Sequence, residues 1–585
     1  MTELETALDA RVAELEALLA RERAARAADA EKIVTLTQER DRLRASHERL
    51  RLELEMLKRR IFVAKAERVD TKQLELEFAA KLRQLDVLAG TLSKTEEAIE
   101  GDDLTLMPPG SSDEEPKRKP TGRRDPKKLP LEEERIEVPD PVFEELVAKG
   151  LAKRIGFEES STIGYKRGGL RRIVTARVKY QATDGKGNTS VETAPMPPRT
   201  FARSLAAPSL LAHILMLKYG MGMPLFRVED RFTRDGCPID RGTMCRWVED
   251  AGATCGATVV QAMRTEALAS AFCIATDATG VLVQPIRTHE KVRQACRRGH
   301  YFVLIADSDH VLFEFTSKET SKVVRTMFEG YSGYVQADAK SVYDILFRDP
   351  NEKPPDDPDE GGQCLEVACW CHLRRKYFEA AFTKSSAARE GLARIARIFE
   401  LDASWRRKPP AEIKRMRDAH LRPHAEAFFA WAAIEYEKVR HERGLLRSAF
   451  GYAVRQKDAL LRVFDDGRLV LDNNRSERAL RGAIAIGRKA WLFVGSDDHG
   501  QSAAHLFSLI ASARLHRLDP ESYLRDLFRV LAHWPRDRYL ELAPRYWTAT
   551  RARLDPHELA FDIGPLTVPP PPDAAQQQAA TNGTR

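Results

Sequence analysis

The stretch from Ala271 to Phe382 most limits what this chain can fold into, because its hydrophobic period switches repeatedly between two and 3.6 residues. AFCIATDATGVLVQPI reads as a strand ending near Asp277, and HYFVLIADSDHVLFEF as two strands joined by a turn at Asp307, Ser308 and Asp309. KETSKVVRTMFEG has helical spacing, SGYVQAD is a strand with Asp338 at its end, CLEVACWC is a further strand, and HLRRKYFEAAF is a helix. A mixed sheet flanked by helices follows, which places an α/β core inside a chain too long for one hydrophobic core.

Three strands in series, then a helix, a strand, a helix and a strand is the order of a ribonuclease H type core, whose first part is expected over 266–382. Residues 383–465 are helical and strongly charged, as an all-α insertion would be. The core resumes over 466–512, residues 513–565 close in helices, and the Pro- and Gln-rich tail 566–585 is expected to be disordered. Upstream, Leu36, Leu43, Leu50 and Leu57 recur every seven residues, the seam of a coiled coil within 1–100. Arg26, Asp29, Arg40 and His47 interrupt that seam, and a long helix folded back on its own domain is the alternative. Self-association is the expectation. Residues 101–132 are rich in Pro, Gly and charge and read as a linker; Lys117–Lys128 holds seven Lys and Arg against one acid. A small β module is expected over 133–200. Over 201–265 two helices flank a turn at Gly236 and Pro238 in a helix-turn-helix outline with Arg241 and Arg246 on the second helix, an arrangement shared with ordinary helical hairpins.

The 94 Lys and Arg against 87 Asp and Glu give a net charge of +7, which suits a polyanionic partner without demanding one. All eight cysteines fall between Cys237 and Cys371 without regular spacing, and no secretory segment is visible, so a reduced, cytoplasmic protein is expected. No apolar run reaches the roughly 18 residues that a membrane span needs.

Asp277 and Asp338 stand where predicted strands stop, and Glu477 lies early in a predicted helix. Three clustered carboxylates are the ligand set that hard divalent cations prefer. Taken singly, each acid has a quieter role: Asp338 as a helix cap, Asp277 in a turn, Glu477 paired with Arg481 one helical turn on. The neighbourhood of Glu477 tips the balance, since Arg475, Arg478, Arg481, Arg488 and Lys489 crowd it with cations fit to hold a phosphate backbone. Arg374, Arg375 and Lys376 head the helix after CWC and are further DNA-facing candidates, with a solvated basic face as the equal alternative. Cys369, Cys371 and His372 lack the spacing of a tetrahedral zinc site. Trp491 is read as core, with stacking on a base as the alternative.

The words LKRRIFVAKAER, KYGMGMPLFRVEDRFTRDGCPIDRGTMCRWV, CWCHLRRKYF and DNNRSERALRGAIAIGRKAWLFVGS together resemble the large transposase of the insertion sequence 66 family, of the three-carboxylate DDE type, across nearly the whole chain. The resemblance implies an enzyme that binds the ends of a mobile element and cuts and joins DNA with two Mg²⁺ or Mn²⁺ ions. It assigns the catalytic, metal-holding acids to Asp277, Asp338 and Glu477. It further implies small companion proteins of the same element as partners, a nucleoid-associated location, and a zinc module. That module reads KYQATDGKGNTS here, with no cysteine before Cys237, so zinc is not expected. The acid that the family carries beside its first catalytic Asp is Ala278, and the aromatic turn after its second is Ala339-Lys340. A catalytically silent DNA-binding regulator and a nuclease that cuts without joining are the rival readings.

Overall fold

In the computed structural model the described residues are Arg21, 131–166, 168–183, 189–285, 295–347, 364–383 and 385–572. The heptad segment, the basic linker and the end of the tail lie outside them. The chain divides into two compact units, whose described parts lie within 131–371 with 469–572, and within 372–468 with Arg21.

In the larger unit, four strands form a first sheet: β1 (Glu132–Val138), β2 (Ala152–Lys166), β3 (Gly169–Thr183) and β4 (Thr189–Thr193). β3 is central, parallel to β1 and antiparallel to β2 and β4. Its own core is small, so polar ties count. The buried Tyr180 donates from its hydroxyl to Glu144 at 2.7 Å and accepts from the Asp140 N–H at 2.8 Å, fixing the helix Pro141–Ala148 on the sheet.

The second sheet has the order β7-β6-β5-β8-β9, from β5 (Cys273–Val283), β6 (Arg297–Ala306), β7 (His310–Thr316), β8 (Tyr334–Ala337) and β9 (Leu365–Ala368), with the short β10 (Phe493–Val494) also on β5. β5, β6 and β7 are an antiparallel meander; β8, β9 and β10 run parallel to β5 or to each other. The turn at Asp307–Asp309 is where the sequence places it. β5 does not end near Asp277 as expected but continues to Val283, because β6 pairs with it along its whole length and β10 joins its far end.

The long helix Asp497–Leu515 covers this sheet. Buried Ser508 and Ser512 accept the N–H groups of Phe313 and Val311 at 2.7 and 2.9 Å, occupying β7 donors that a bare edge strand would leave unpaired. On its other side it meets the helix Arg241–Cys255 closely enough that a Cβ on Gly252 would stand 2.3 Å from the Ser502 carbonyl oxygen. That contact requires glycine.

The smaller unit is helical through its described residues, including Ser386–Ala403, Arg422–Val439 and Leu445–Arg455 around Tyr377, Phe428 and Phe450. A buried Arg417–Asp402 pair at 2.8 Å lies within it.

Candidate active site

The site grows from a gap in the sheet. On one edge of β5, β8 pairs only with Cys273–Ala275 and β10 only with Leu282–Val283, which leaves the stretch from Thr276 to Val281 without a strand beside it. Ala275 is opposite Gln336, so continuing that parallel register by two residues sets Asp338 level with Asp277. Neighbouring strands lie about 4.8 Å apart, near enough for two carboxylates to share a cation.

A helix fills the gap. Asn474–Leu480 has seven residues, too few to hold itself together in water, and is pinned at its start. Asn473, 1 % exposed, donates from its side-chain amide to the Thr276 carbonyl on β5 at 2.7 Å, and Ser476 donates to its other end at 2.7 Å. Gln336 of β8 donates to the Val470 carbonyl just upstream at 2.7 Å. The thiols of Cys369 and Cys371 receive the Asn473 N–H and the Asn474 amide at 3.2 and 3.6 Å. The two cysteines thus seat the helix that carries Glu477.

Burial, and then the charges of Asp338 and Glu477, push the Asp277 carboxyl up to about 7, while the Ala278 N–H and Lys340 pull it down. All three acids therefore share one electrostatic neighbourhood. The Asp277 Oδ1 atom accepts the Ala278 N–H at 2.7 Å. Asp338 Oδ1 is buried with no hydrogen-bond partner among the described residues, an acceptor that an incoming cation would satisfy. Glu477 holds Arg481 at 2.5 Å, the pair the sequence offered as its quieter role. Among the described residues no three His, Cys, Asp or Glu side chains are gathered tightly enough to hold a metal ion as they stand. The donor set fits divalent cations in chemistry, and Glu477 would need to turn from Arg481 to complete it.

The expected DNA contacts are dispersed. Arg478, Arg481 and Lys489 are exposed on the Glu477 helix and its continuation. Arg475 instead donates to the Asp307 carbonyl at 2.8 Å and the Ser308 hydroxyl at 3.0 Å, and Arg488 donates to the Gly280 carbonyl at 2.8 Å, so both tie the helical segment to the sheet. Arg241 and Arg246 are exposed at the start of Arg241–Cys255, which Asp240 caps by accepting the N–H groups of Gly242 and Thr243. Arg374, Arg375 and Lys376 belong to the helical unit; Arg374 lies over the Phe399 ring and Lys376 over Tyr452, while Arg375 is exposed.

Sequence reasoning missed the cationic side of the site. Ala339, at φ 56, turns the chain sharply after Asp338, and Lys340 reaches Glu319 at 2.5 Å; His300 stands 3.6 Å from the same Glu319. The Ala339-Lys340 departure was visible, but Glu319 and His300 have no signal in local spacing.

Residues 203–502, just over half of the chain, match the family model described as "Transposase IS66 family", and 508–545 match "IS66 C-terminal element". Three proteins of Sinorhizobium fredii (strain NBRC 101917 / NGR234) are similar. "Uncharacterized protein y4hP" is 24 % identical over 72 % of this chain and 76 % of its own length. "Uncharacterized protein y4qI" is 26 % identical over 67 % and 71 %, and "Uncharacterized protein y4jD" 26 % over 86 % and 98 %. Among the described residues no helix is long and apolar enough to cross a membrane. With the family match running from the helix-turn-helix outline through all three acids, the chain belongs to the IS66 family of transposases.

Proposed function

We propose that this chain binds the ends of its own mobile element and catalyses metal-dependent cutting and joining of DNA, with Asp277, Asp338 and Glu477 as the catalytic acids of a ribonuclease H-like core. The carrying observation is the register that sets Asp338 level with Asp277, with Glu477 near enough to raise the Asp277 carboxyl. The strand order β7-β6-β5-β8-β9, three antiparallel and then parallel, agrees with the order expected of a ribonuclease H-like core and supports the same reading.

The three carboxylates would hold two Mg²⁺ or Mn²⁺ ions, which when bound supply Lewis-acid activation of the attacking oxygen and charge relief for the leaving one. Asp277 must give up its proton to become a ligand, and Asp338 offers an oxygen that no described residue occupies. A DNA phosphate that took over Arg481 would remove a cation that competes for Glu477, coupling substrate binding to completion of the acid trio. Lys340, steadied by Glu319, faces the same acids and places a positive charge beside the reacting phosphate. Positioning and charge neutralisation suffice for phosphoryl transfer of this kind, and no side-chain nucleophile is required. Water would attack the phosphodiester at the element's end and break its bond to the 3′ oxygen, which leaves as a 3′ hydroxyl; that hydroxyl would then attack a target phosphodiester and displace the target's own 3′ oxygen.

Arg241 and Arg246 would read or grip the element ends, with Arg478, Arg481 and Lys489 holding the backbone near the cut. Protomers would associate through the N-terminal heptads, with companion proteins of the element as further partners.

The test incubates purified full-length chain with labelled duplex from the DNA flanking its own gene, with Mg²⁺ or Mn²⁺. Nicks at the element end followed by strand-transfer products support the proposal. Binding without nicks points to a silent regulator, and nicks without joints to a nuclease.

A further inference from the structure

The helix Arg241–Cys255, whose first turns carry Arg241 and Arg246, meets the long helix Asp497–Leu515 through two kinds of contact. At its far end the fit is tight and inert: a Cβ on Gly252 would run into Ser502, and one on Gly256, just beyond, into the His505 ring. Near its start the contact is made by reactive groups. Cys245 is half-buried, and its Sγ atom stands 3.2 Å from His499 Nε2. Glu249, one turn on, brings a carboxylate oxygen to 3.3 Å from the same nitrogen. Ser496 Oγ is 2.7 Å from His499 Nδ1 and also accepts the His499 N–H at 3.2 Å, capping its helix. Both ring nitrogens thus have a partner, and the imidazole is held with Nε2 towards the thiol.

A cation stands close by. The Lys218 ammonium lies 5.3 and 5.9 Å from the ring centroids of Tyr219 and of Trp491, which packs against the core, and its charge is felt by both Cys245 and His499. The hydrogen bond to Cys245 raises the His499 imidazole above its ordinary range; burial and Lys218 oppose this, and Glu249 adds to it. A thiol with a base at hydrogen-bond distance, a third group orienting that base and a neighbouring cation is the arrangement of a reactive cysteine. The three-acid chemistry uses none of these groups. Cys296, the most exposed of the eight cysteines, has no histidine bonded to it among the described residues.

We propose that Cys245 is a site of reversible oxidation by a peroxide, with His499 as the base that activates it. The Sγ proton passes to His499 Nε2 and sulfur attacks one peroxide oxygen. The S–O bond forms as the O–O bond breaks, and the departing hydroxide takes the proton from Nε2 and leaves as water. Sulfur loses two electrons, the peroxide gains them, and Cys245 becomes a sulfenic acid. A first thiol then condenses with it to a disulfide and water, and a second thiol displaces Cys245 from that disulfide. An oxygen added at Sγ does not fit a 3.2 Å contact, so the first turns of the helix part from His499 while the glycine contacts hold its far end. Arg241 and Arg246 move with those turns, and oxidation weakens their grip. This consequence rests on the proposed role of both arginines at element ends; the oxidation itself does not.

The test treats reduced full-length protein with limiting hydrogen peroxide and dimedone at pH 7 and follows each cysteine peptide by mass spectrometry. Cys245 should be labelled at least about tenfold faster than Cys296. In His499→Gln the Cys245 rate should fall at least about tenfold with Cys296 unchanged. Lys218→Met, which keeps the aromatic packing and removes the cation, should slow Cys245 several-fold and guards against a His499 variant that does not fold. Faster labelling of Cys296 overturns the proposal, as does a Cys245 rate that a folded His499→Gln or, failing that, Lys218→Met leaves unchanged. Anisotropy on element-end duplex, before and after peroxide, reads the consequence: several-fold weaker binding in the parent, restored by dithiothreitol and absent in Cys245→Ser. Labelling of Cys245 with unchanged affinity supports the oxidation site and overturns its effect on end binding. Failure of the untreated protein to bind DNA overturns the functional reading, and the labelling rates still decide the site.

Discussion

Asp338 comes level with Asp277 when the β5–β8 register is continued two steps beyond Ala275 and Gln336, just past the end of β8, where no described strand lies beside β5 on that edge. Burial, and then the nearby charges of Asp338 and Glu477, make the Asp277 carboxyl keep its proton to an unusually high pH. The Asp277 carboxyl at about 7 against an ordinary 3.8 makes that explicit.

The sign of the stability effect follows. The folded chain holds this proton more tightly than the unfolded one, so the contribution is complete below about pH 3.8 and is lost as pH rises through about 7. At about 1.4 kcal/mol per pH unit the loss is at most on the order of 4 kcal/mol. Asp277→Asn should therefore melt a few degrees above the parent at pH 8 in EDTA and close to it at pH 4. Thermal unfolding at the two pH values checks this, and equal shifts at both would remove the electrostatic explanation.

Glu477→Gln should reduce strand cutting by at least about a thousandfold while element-end binding changes less than threefold, because one ligand is lost and the surface charge barely alters. Nicking and anisotropy assays on one preparation separate the two. Loss of both together would make Glu477 a structural residue.

Arg481→Ala acts on the same pair from the other side. An exposed ion pair is worth under about 1 kcal/mol, so stability should hardly move. Mn²⁺ affinity without DNA should rise several-fold as Glu477 loses a competing cation, while DNA affinity falls, both readable by calorimetry.

Asn473→Ala removes a buried bridge to the Thr276 carbonyl and to Ser476. A loss of about 1–3 kcal/mol is expected, with cutting impaired because the Glu477 helix loses its seat. Restored cutting with Asn473→Asp would show that acceptance from Ser476 is the essential half of the bridge; denaturant melts and nicking assays report the two effects.

Much of this site could be read in the text of the chain, and the unread part has a physical cause. Asp277 and Asp338 announce themselves by following apolar, β-branched runs, and Glu477 by the basic residues around it. What local spacing could not convey was that β5 continues past Asp277, since its extension depends on β6 and on β10, more than two hundred residues later. Cys369 and Cys371 lack zinc spacing and so carry no legible role in the sequence; their partners Asn473 and Asn474 are about a hundred residues away. Arg475 and Arg488 were grouped with the DNA-facing cations by sign alone, whereas the fold spends both on carbonyls of the sheet. The Lys340–Glu319–His300 group was invisible because each member comes from a different segment.

The most direct test of the three-acid centre is Mn²⁺ binding to the full-length protein at pH 8, followed by electron paramagnetic resonance with element-end DNA present. The account predicts saturable binding of two ions that is abolished or weakened at least tenfold in Asp277→Asn, Asp338→Asn and Glu477→Gln alike. Unchanged affinity and stoichiometry in the three variants would contradict it.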